Sequence, residues 1–283
     1  MPTLRLALLL AALTAVPPLA SAWANRSELP DPSPPLDKLT QLIAEHTERY
    51  NFRGTILVER DGETLHHQSY GLANFTFEVP NHNDTKYKVA SITKSFTATL
   101  VLMLVEQGKL RLDAPIATYL PDYTGEGADR VTLHHLLTHT SGRKNMEAFG
   151  VEMFAKPWSG VYGKPHTMDQ IVQNFCSGPL VDDPGTTFDY DNGEFILLGR
   201  AIEAVTGKTY EEVLRDHILE PLQLHDSCML NHAVVVPGLA DTYSWNRDAQ
   251  RLDIDLTIII LANTTRTDMG YFASRINEVL LGS

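Results

Sequence analysis

Cysteine is scarce in this sequence: Cys176 and Cys228 are the only two among 283 residues. One disulfide is the maximum, which excludes both a framework of bridges and a cysteine-rich metal centre. A chain of this length buries enough surface to fold without a covalent staple, so a Cys176–Cys228 bridge is not expected. Positive charge is also short. Lysine and arginine number 23 against 35 acidic residues, for a net charge of −12. They form no dense basic stretch, and nucleic acid is excluded as a partner on that ground. Past the first 22 residues no apolar run approaches the ~20 residues needed to cross a bilayer, so no membrane span is expected in the mature chain.

The opening segment, "MPTLRLALLLAALTAVPPLASA", has one positive charge at Arg5, an apolar stretch, and small residues at Ala20 and Ala22. That layout is a secretory signal peptide over 1–22, cut after Ala22 or Ala24, and it predicts a secreted or periplasmic protein. A proline-rich leader with "ELPDPSPP" follows over 23–35. Asn25, Asn74, Asn83 and Asn263 each begin an N-x-S/T sequon, which we read as chance occurrences.

From residue 36 the pattern becomes regular. "LDKLTQLIAEHTER" has helical spacing at Leu36, Leu39, Leu42 and Ile43. "RGTILVERDGETLHHQSYG" reads as a hairpin turning at Asp61-Gly62. An apolar helix then ends near Gly108, and "VTLHHLLTHTSG" is a short helix closed by a Ser-Gly turn. "PGTTFDYDNGEFILLGRAIEAVTG" is a loop running into a helix, and "TYEEVLRDHILEPL" is another helix. "DLTIIILAN" reads as a β-branched strand and "MGYFASRINEVLLG" as an amphipathic closing helix. A strand pair, a block of helices, then a strand and a helix predict an α/β (α+β type) domain over 36–283 with a helical insertion at about 112–235. In that arrangement the last strand pairs with the first hairpin.

"KVASITKSFTATLVLMLVEQGKL", residues 88 to 110, places Ser91 and Lys94 three apart at the head of the apolar helix. That spacing puts both side chains on one face. The helix N-terminus, with its unpaired N–H groups, favours an oxyanion beside the serine. A serine becomes nucleophilic when a neighbouring base takes its proton, and a lysine serves as that base only where burial and positive potential lower its basicity. Ile92, Phe96, Leu100 and Val101 are expected to supply the apolar surroundings, in a helix buried all round. Ser91-x-x-Lys94 equally describes a helix-capping serine with a solvated lysine, so a second element is needed. Tyr190-Asp191-Asn192 supplies it.

With S-x-x-K and Y-x-N both present, the chain resembles the serine β-lactamase and penicillin-binding protein superfamily. The resemblance runs through "VASITKSFTA", "VEQGKLRLDAPIATYLPDY", "HLLTHTSG", "PG..F.Y.N", "EAVTGKTYEEVLRDHILEPL" and "TIIILAN". It lies in the branch that holds class C β-lactamases, D,D-peptidases and related esterases and amidases. It implies a β-lactamase/transpeptidase-like fold, with an antiparallel sheet flanked by terminal helices and a helical subdomain. It also implies a serine hydrolase acting on a small-molecule or peptide substrate, with no cofactor and no metal. Carried over residue by residue, Ser91 resembles the acylated nucleophile and Lys94 its activating partner. Tyr190 resembles the phenol that relays the proton, alone or with Lys94, and Asn192 the amide that holds the substrate carbonyl and orients the lysine. The Ser91 N–H resembles half of an oxyanion hole. Asp191 stands where serine is usual in the family and brings a carboxylate near the site.

The family's third motif, Lys-Thr-Gly or His-x-Gly, has no counterpart after Asn192. His217, His225 and His232 are followed by Ile-Leu, Asp-Ser and Ala-Val, and Lys208-Thr209 by Tyr210. The resemblance resumes at "DLTIIILAN", the family's last strand, so an internal deletion is expected near 251–256 and the sheet falls to about three strands. Residues 256–261 would then form an apolar sheet edge open to self-association. Two readings stay open: a truncated relative with weak or no activity, or a sheet completed by another polypeptide. A non-catalytic remnant that binds cell-wall peptide or a partner protein is the alternative to a hydrolase. β-lactam, D-peptide and ester substrates are not separated by the sequence.

Other residues carry less. His135 and His139 lie one helical turn apart with His134 beside them, but no H-E-x-x-H or cysteine partner accompanies them, so zinc is not expected. Glu106 and Asp113 read as solvated or structural. Trp158 and Tyr162 read as loop packing.

Overall fold

The computed structural model describes residues 36–146, 166–230, 235–246 and 251–254. These fall into two units, one holding 36–85 and 240–254 and the other 86–239. The strand expected at 255–263, the closing helix at 269–282, the signal peptide and leader, and Trp158 and Tyr162 lie outside the described residues.

The first unit opens with helix α1 (Leu36–Tyr50), which carries Asp37 in its first turn and Arg49 in its last, each complementing the helix dipole. Leu39 and Ile43, one turn apart, bury their side chains with Phe52, Ile56 and Val58. Strand β1 (Gly54–Arg60) alternates, with Ile56 and Val58 inward and Leu57 outward. It pairs antiparallel with β2 (Glu63–Tyr70), from Gly54 opposite Tyr70 to Arg60 opposite Glu63, with a bulge between Val58 and Glu59. The turn uses Asp61 at φ 53° and Gly62 at φ 81°, as a two-residue hairpin requires.

Among the described residues of this unit there are two further small hairpins. One joins β3 (Leu72–Asn74) to β4 (Val79–Pro80), and the other joins β5 (Tyr243–Asn246) to β6 (Arg251–Ile254). The residues expected to mark the deletion, 251–254, are thus a paired strand. The Phe75 N–H donates to the Tyr243 hydroxyl (2.9 Å), and the two rings meet edge-on at 4.6 Å. Two sequon asparagines have structural partners here. Asn74 Nδ2 donates to Asp241 (2.5 Å) and Asn83 Nδ2 to the His67 carbonyl (3.0 Å).

The second unit is helical. A 3₁₀ turn (Ala90–Ile92) leads into α2 (Thr93–Glu106), after which Gly108 turns the chain at φ 70°. Next come α3 (Leu133–Leu137), α4 (Met168–Phe175), α5 (Asn192–Thr206) and α6 (Tyr210–Leu214). The last runs on as a π turn over Arg215–Leu219 rather than as one continuous helix. Thr132, Thr167 and Thr209 cap α3, α4 and α6 by capping boxes. The core joins Leu100, Val101 and Leu104 of α2 to Leu197, Leu198 and Ile202 of α5, with Leu133 and Leu136 of α3 against them. Helix α2 is central but not buried all round, since Leu102 is 52% exposed.

Candidate active site

Ser91 stands in the 3₁₀ turn just ahead of α2, and the backbone that delivers it is strained. Ala90, a residue with a Cβ, holds φ at +45°. Lys94 follows three residues later, its ammonium within reach of the Ser91 hydroxyl. Asn192 begins α5, and Tyr190 lies two residues ahead of it. Because α2 and α5 pack along Leu100, Val101, Leu197 and Leu198, their N-termini meet. Two helix heads with positive dipole ends therefore face one spot.

The four expected residues converge there. Ser91 Oγ is 2.6 Å from the Tyr190 hydroxyl, with either oxygen able to donate. Lys94 Nζ donates to Ser91 Oγ (3.2 Å) and to Asn192 Oδ1 (2.5 Å). The same ammonium lies 4.6 Å from the centre of the Tyr190 ring and 5.5 Å from that of Phe195. The Tyr190 carbonyl accepts from Asn145 Nδ2 (2.6 Å), which ties the turn to the neighbouring loop. Ser91 and Tyr190 are exposed, so a ligand can reach the paired oxygens, while Lys94 and Asn192 are half-buried.

Two expectations are corrected. Ile92 does not enclose the lysine, being 42% exposed; the apolar faces beside Lys94 are the rings of Tyr190 and Phe195. Asp191 does not present its carboxylate to the site. It is buried and caps α5, Oδ1 accepting from the N–H groups of Gly193 (2.9 Å) and Met146 (3.1 Å). Burial pushes this carboxyl above its ordinary value, against the opposing pull of those two donors and of Arg143.

Sequence reasoning missed what stands behind Tyr190. His139 and Glu194 meet at 2.5 Å (Nδ1 to Oε2), both buried, and the imidazole lies 4.5 Å from the Tyr190 ring. Arg143, also buried, donates to the carbonyls of Glu126 (3.2 Å), Gly178 (3.2 Å) and Cys176, binding three loops at one point. "HLLTHTSG" was the one signal for His139; nothing local marks Glu194.

His135 and His139 have structural partners. His135 Nδ1 accepts from the Thr132 N–H (3.2 Å) within the α3 capping box, and His139 is held by Glu194. Among the described residues no group of three His, Cys, Asp or Glu is placed to hold a metal ion. Cys176 and Cys228 are free thiols, and burial pushes the Cys176 thiol up to about 12. Asp113 pairs with Arg111 at the surface (2.9 Å).

A hydroxyl held between a phenol and an ammonium, at the head of a helix, is the geometry of a serine nucleophile with its proton-transfer partners. The comparisons with known proteins give the family. The Beta-lactamase family model matches residues 39–280, and the chain belongs to that family. Members of this kind are serine hydrolases by family. Esterase EstB of Burkholderia gladioli is 34% identical over 177 residues, covering 60% of this chain and 45% of that protein. Penicillin-binding protein 4* of Bacillus subtilis is 28% identical over 200 residues, 70% of this chain and 42% of its own. The crystal structure of a penicillin-binding protein from Bacillus halodurans superposes with a TM-score of 0.64 at 27% identity, over 79% of this chain and 67% of that one. The fold is of the β-lactamase/transpeptidase kind, and the chain spans less than half the length of these two curated relatives. Among the described residues no helix is long and apolar enough to cross a membrane.

Proposed function

We propose that this protein is an exported serine hydrolase that opens an amide, ester or β-lactam carbonyl through an acyl ester on Ser91. The observation that carries the reading is the 2.6 Å contact between Ser91 Oγ and the Tyr190 hydroxyl, with Lys94 Nζ 3.2 Å from the same oxygen. Ser91 Oγ attacks the carbonyl carbon, and its proton passes to the Tyr190–Lys94 pair. The Ser91 N–H, at a helix head, donates to the oxyanion. When the C–N or C–O bond breaks, the proton goes to the leaving atom. Water then attacks the acyl ester, giving up its proton by the same route, and Ser91 is restored. Asn192 keeps Lys94 aimed at Ser91 and offers its amide to the substrate carbonyl.

The absence of Lys-Thr-Gly and His-x-Gly after Asn192 supports a slow enzyme. Loss of one oxyanion donor lowers a rate by about 100- to 1,000-fold. The penicillin-binding protein and esterase among the similar proteins support the substrate class and leave the choice within it open. Secretion follows from the 1–22 segment, and N-terminal sequencing of protein collected outside the cytoplasm would find a start at Trp23 or Asn25. The apolar run Leu256–Leu261 in the sequence supports self-association, which sedimentation velocity measures directly.

The test is incubation with a fluorescent penicillin and with a fluorophosphonate, followed by intact-mass analysis and peptide mapping. A single adduct on Ser91, absent in Ser91→Ala, is expected. No adduct at high probe concentration would remove the hydrolase reading and leave the binding remnant, for which Ser91→Ala binds cell-wall peptide unchanged.

A further inference from the structure

Glu194 and His139 look at first like a buried ion pair, but their other partners argue otherwise. The Asp191 N–H donates to His139 Nδ1 (3.3 Å), so that nitrogen is an acceptor and carries no proton. The contact with Glu194 Oε2 then needs a proton on the carboxyl. The pair is neutral: Glu194 O–H donates to Nδ1, and Nε2 holds the ring proton. Electrostatics point the same way. Burial raises the Glu194 carboxyl to about 8, whereas burial and then the charge of Lys94 lower the imidazole.

This pair holds the segment that carries Tyr190 through several contacts. The His139 carbonyl accepts from the Asp189 N–H (2.9 Å). Its ring lies 4.5 Å from Tyr190, tilted by 41°, and also meets Phe188 (5.9 Å) and Phe195 (5.2 Å). Its Nδ1 takes the Asp191 N–H. Three consecutive residues, 189 to 191, are thus held by one histidine. Glu194, in the first turn of α5, locks that histidine from below and accepts the Ser141 N–H on its other oxygen (3.3 Å). His139 itself sits at φ +56°, a left-handed conformation that the surrounding structure must enforce.

We propose that Glu194 and His139 are positioning residues for the Ser91 reaction: a neutral carboxyl–imidazole pair that fixes the 189–192 turn and holds the Tyr190 hydroxyl on Ser91. The assignment deepens the hydrolase reading and rests on it. A displacement of about 1 Å at the phenol is enough to lower the reaction about 100-fold. Glu194→Gln preserves the arrangement, because its amide N–H replaces the carboxyl O–H toward Nδ1 and its carbonyl still accepts from Ser141. Glu194→Ala does not. His139→Asn accepts the positive φ but loses the ring against Tyr190.

The charged groups around the pair set the pH behaviour. Asp191 and Arg143 act on Glu194, and Lys94 and Asp189 on His139. Ionisation of Glu194 would set a carboxylate against the Nδ1 lone pair and the Asp191 side chain. The Ser91 acylation rate in wild type is therefore expected to bend downward near pH 8, and in Glu194→Gln that bend disappears.

The experiment measures acylation of Ser91 by a fluorophosphonate against concentration and pH, alongside ¹³C spectra of protein labelled at tyrosine Cζ, with Tyr190 assigned through Tyr190→Phe. Glu194→Ala and His139→Asn are expected to lose about 10- to 100-fold in the maximal acylation rate per folded molecule, with half-saturation moved less than threefold. Glu194→Gln should stay within fivefold of wild type at pH 7. The Tyr190 resonance should move in the first two variants and stay in the third. If Glu194→Ala does not fold, His139→Asn and Glu194→Gln decide. Equal loss in Gln and Ala with superimposed wild-type and Gln pH profiles, or a Tyr190 resonance that none of the variants moves, would overturn the proposal. Should wild type fail to acylate, the hydrolase reading falls, and the tyrosine spectra still judge the positioning.

Discussion

Replacing Tyr190 by phenylalanine removes one oxygen and leaves the ring. The aromatic contacts with His139 at 4.5 Å and with Lys94 at 4.6 Å survive, and the backbone stays tied to Asn145. What is lost is the 2.6 Å bond to Ser91 Oγ. A hydrogen bond that lies open to solvent contributes about 0.5 kcal/mol or less to folding, because water replaces the partner. If the phenol carries the proton, its removal takes away a general acid–base contribution of about 100- to 10,000-fold, or about 3–5 kcal/mol in the barrier. The two magnitudes differ roughly tenfold, so the variant separates catalysis from stability. The assay is the rate of Ser91 modification by a fluorophosphonate, read by intact mass, beside thermal unfolding of the same preparation. The expected result is an unfolding temperature within about 2 °C of wild type, unchanged half-saturation, and a rate lowered at least 100-fold. A variant that acylates within threefold of wild type would refute the role given to the phenol. The proton would then pass through Lys94 alone.

Asp191→Ala strips the α5 cap of its two backbone bonds and should destabilise the protein by about 1–2 kcal/mol, whereas Asp191→Asn, which keeps an acceptor, should lose less than half of that; urea midpoints measure both. Glu194 makes stability depend on pH. Its folded value of about 8 lies above the ordinary 4.5, so its contribution is whole below pH 4.5, declines as pH rises, and is gone above pH 8, for a total of at most about 5 kcal/mol. Urea unfolding at pH 5, 6.5 and 8 should show the decline in wild type and a flatter line in Glu194→Gln. The raised Asp191 carboxyl adds in the same direction, and the lowered Asp113 and Asp216 act only below their ordinary 3.8. The lowered imidazoles of His66, His135 and His139 oppose it below their ordinary 6.5, so the difference between wild type and Glu194→Gln isolates the glutamate. Ala90→Gly relieves the strained φ of +45° and should raise stability by a few tenths of a kcal/mol while loosening Ser91, so that unfolding shifts up and acylation slows.

The parts legible in the sequence were those governed by short-range rules. Ser91 and Lys94 share a helix face because they are three apart, and Asp61-Gly62 turns a hairpin because both accept positive φ. The helices α2 and α5 themselves followed from their apolar runs, although α2, expected to be buried all round, leaves Leu102 exposed. What escaped was set at long range or by the backbone. Glu194 and His139 are 55 residues apart, and neither announces that the two will meet. Asp191 reads as a carboxylate at an active site, yet capping α5 turns it inward. The β5–β6 hairpin was hidden because its turn carries neither Asn-Gly nor Asp-Gly, so Arg251–Ile254 read as a joint rather than as a strand. Ala90 gave no sign of its positive φ, which comes from the demands of the Ser91 turn.

Serine, lysine, tyrosine and asparagine, with the histidine and glutamate behind them, all belong to one unit of the chain, residues 86–239. The residues proposed to move a proton around Ser91 thus sit together in one compact stretch of chain. On the proposed reading, the strands outside that stretch could be rewritten or shortened without displacing the side chains assigned to the Ser91 chemistry, because none of those side chains comes from them.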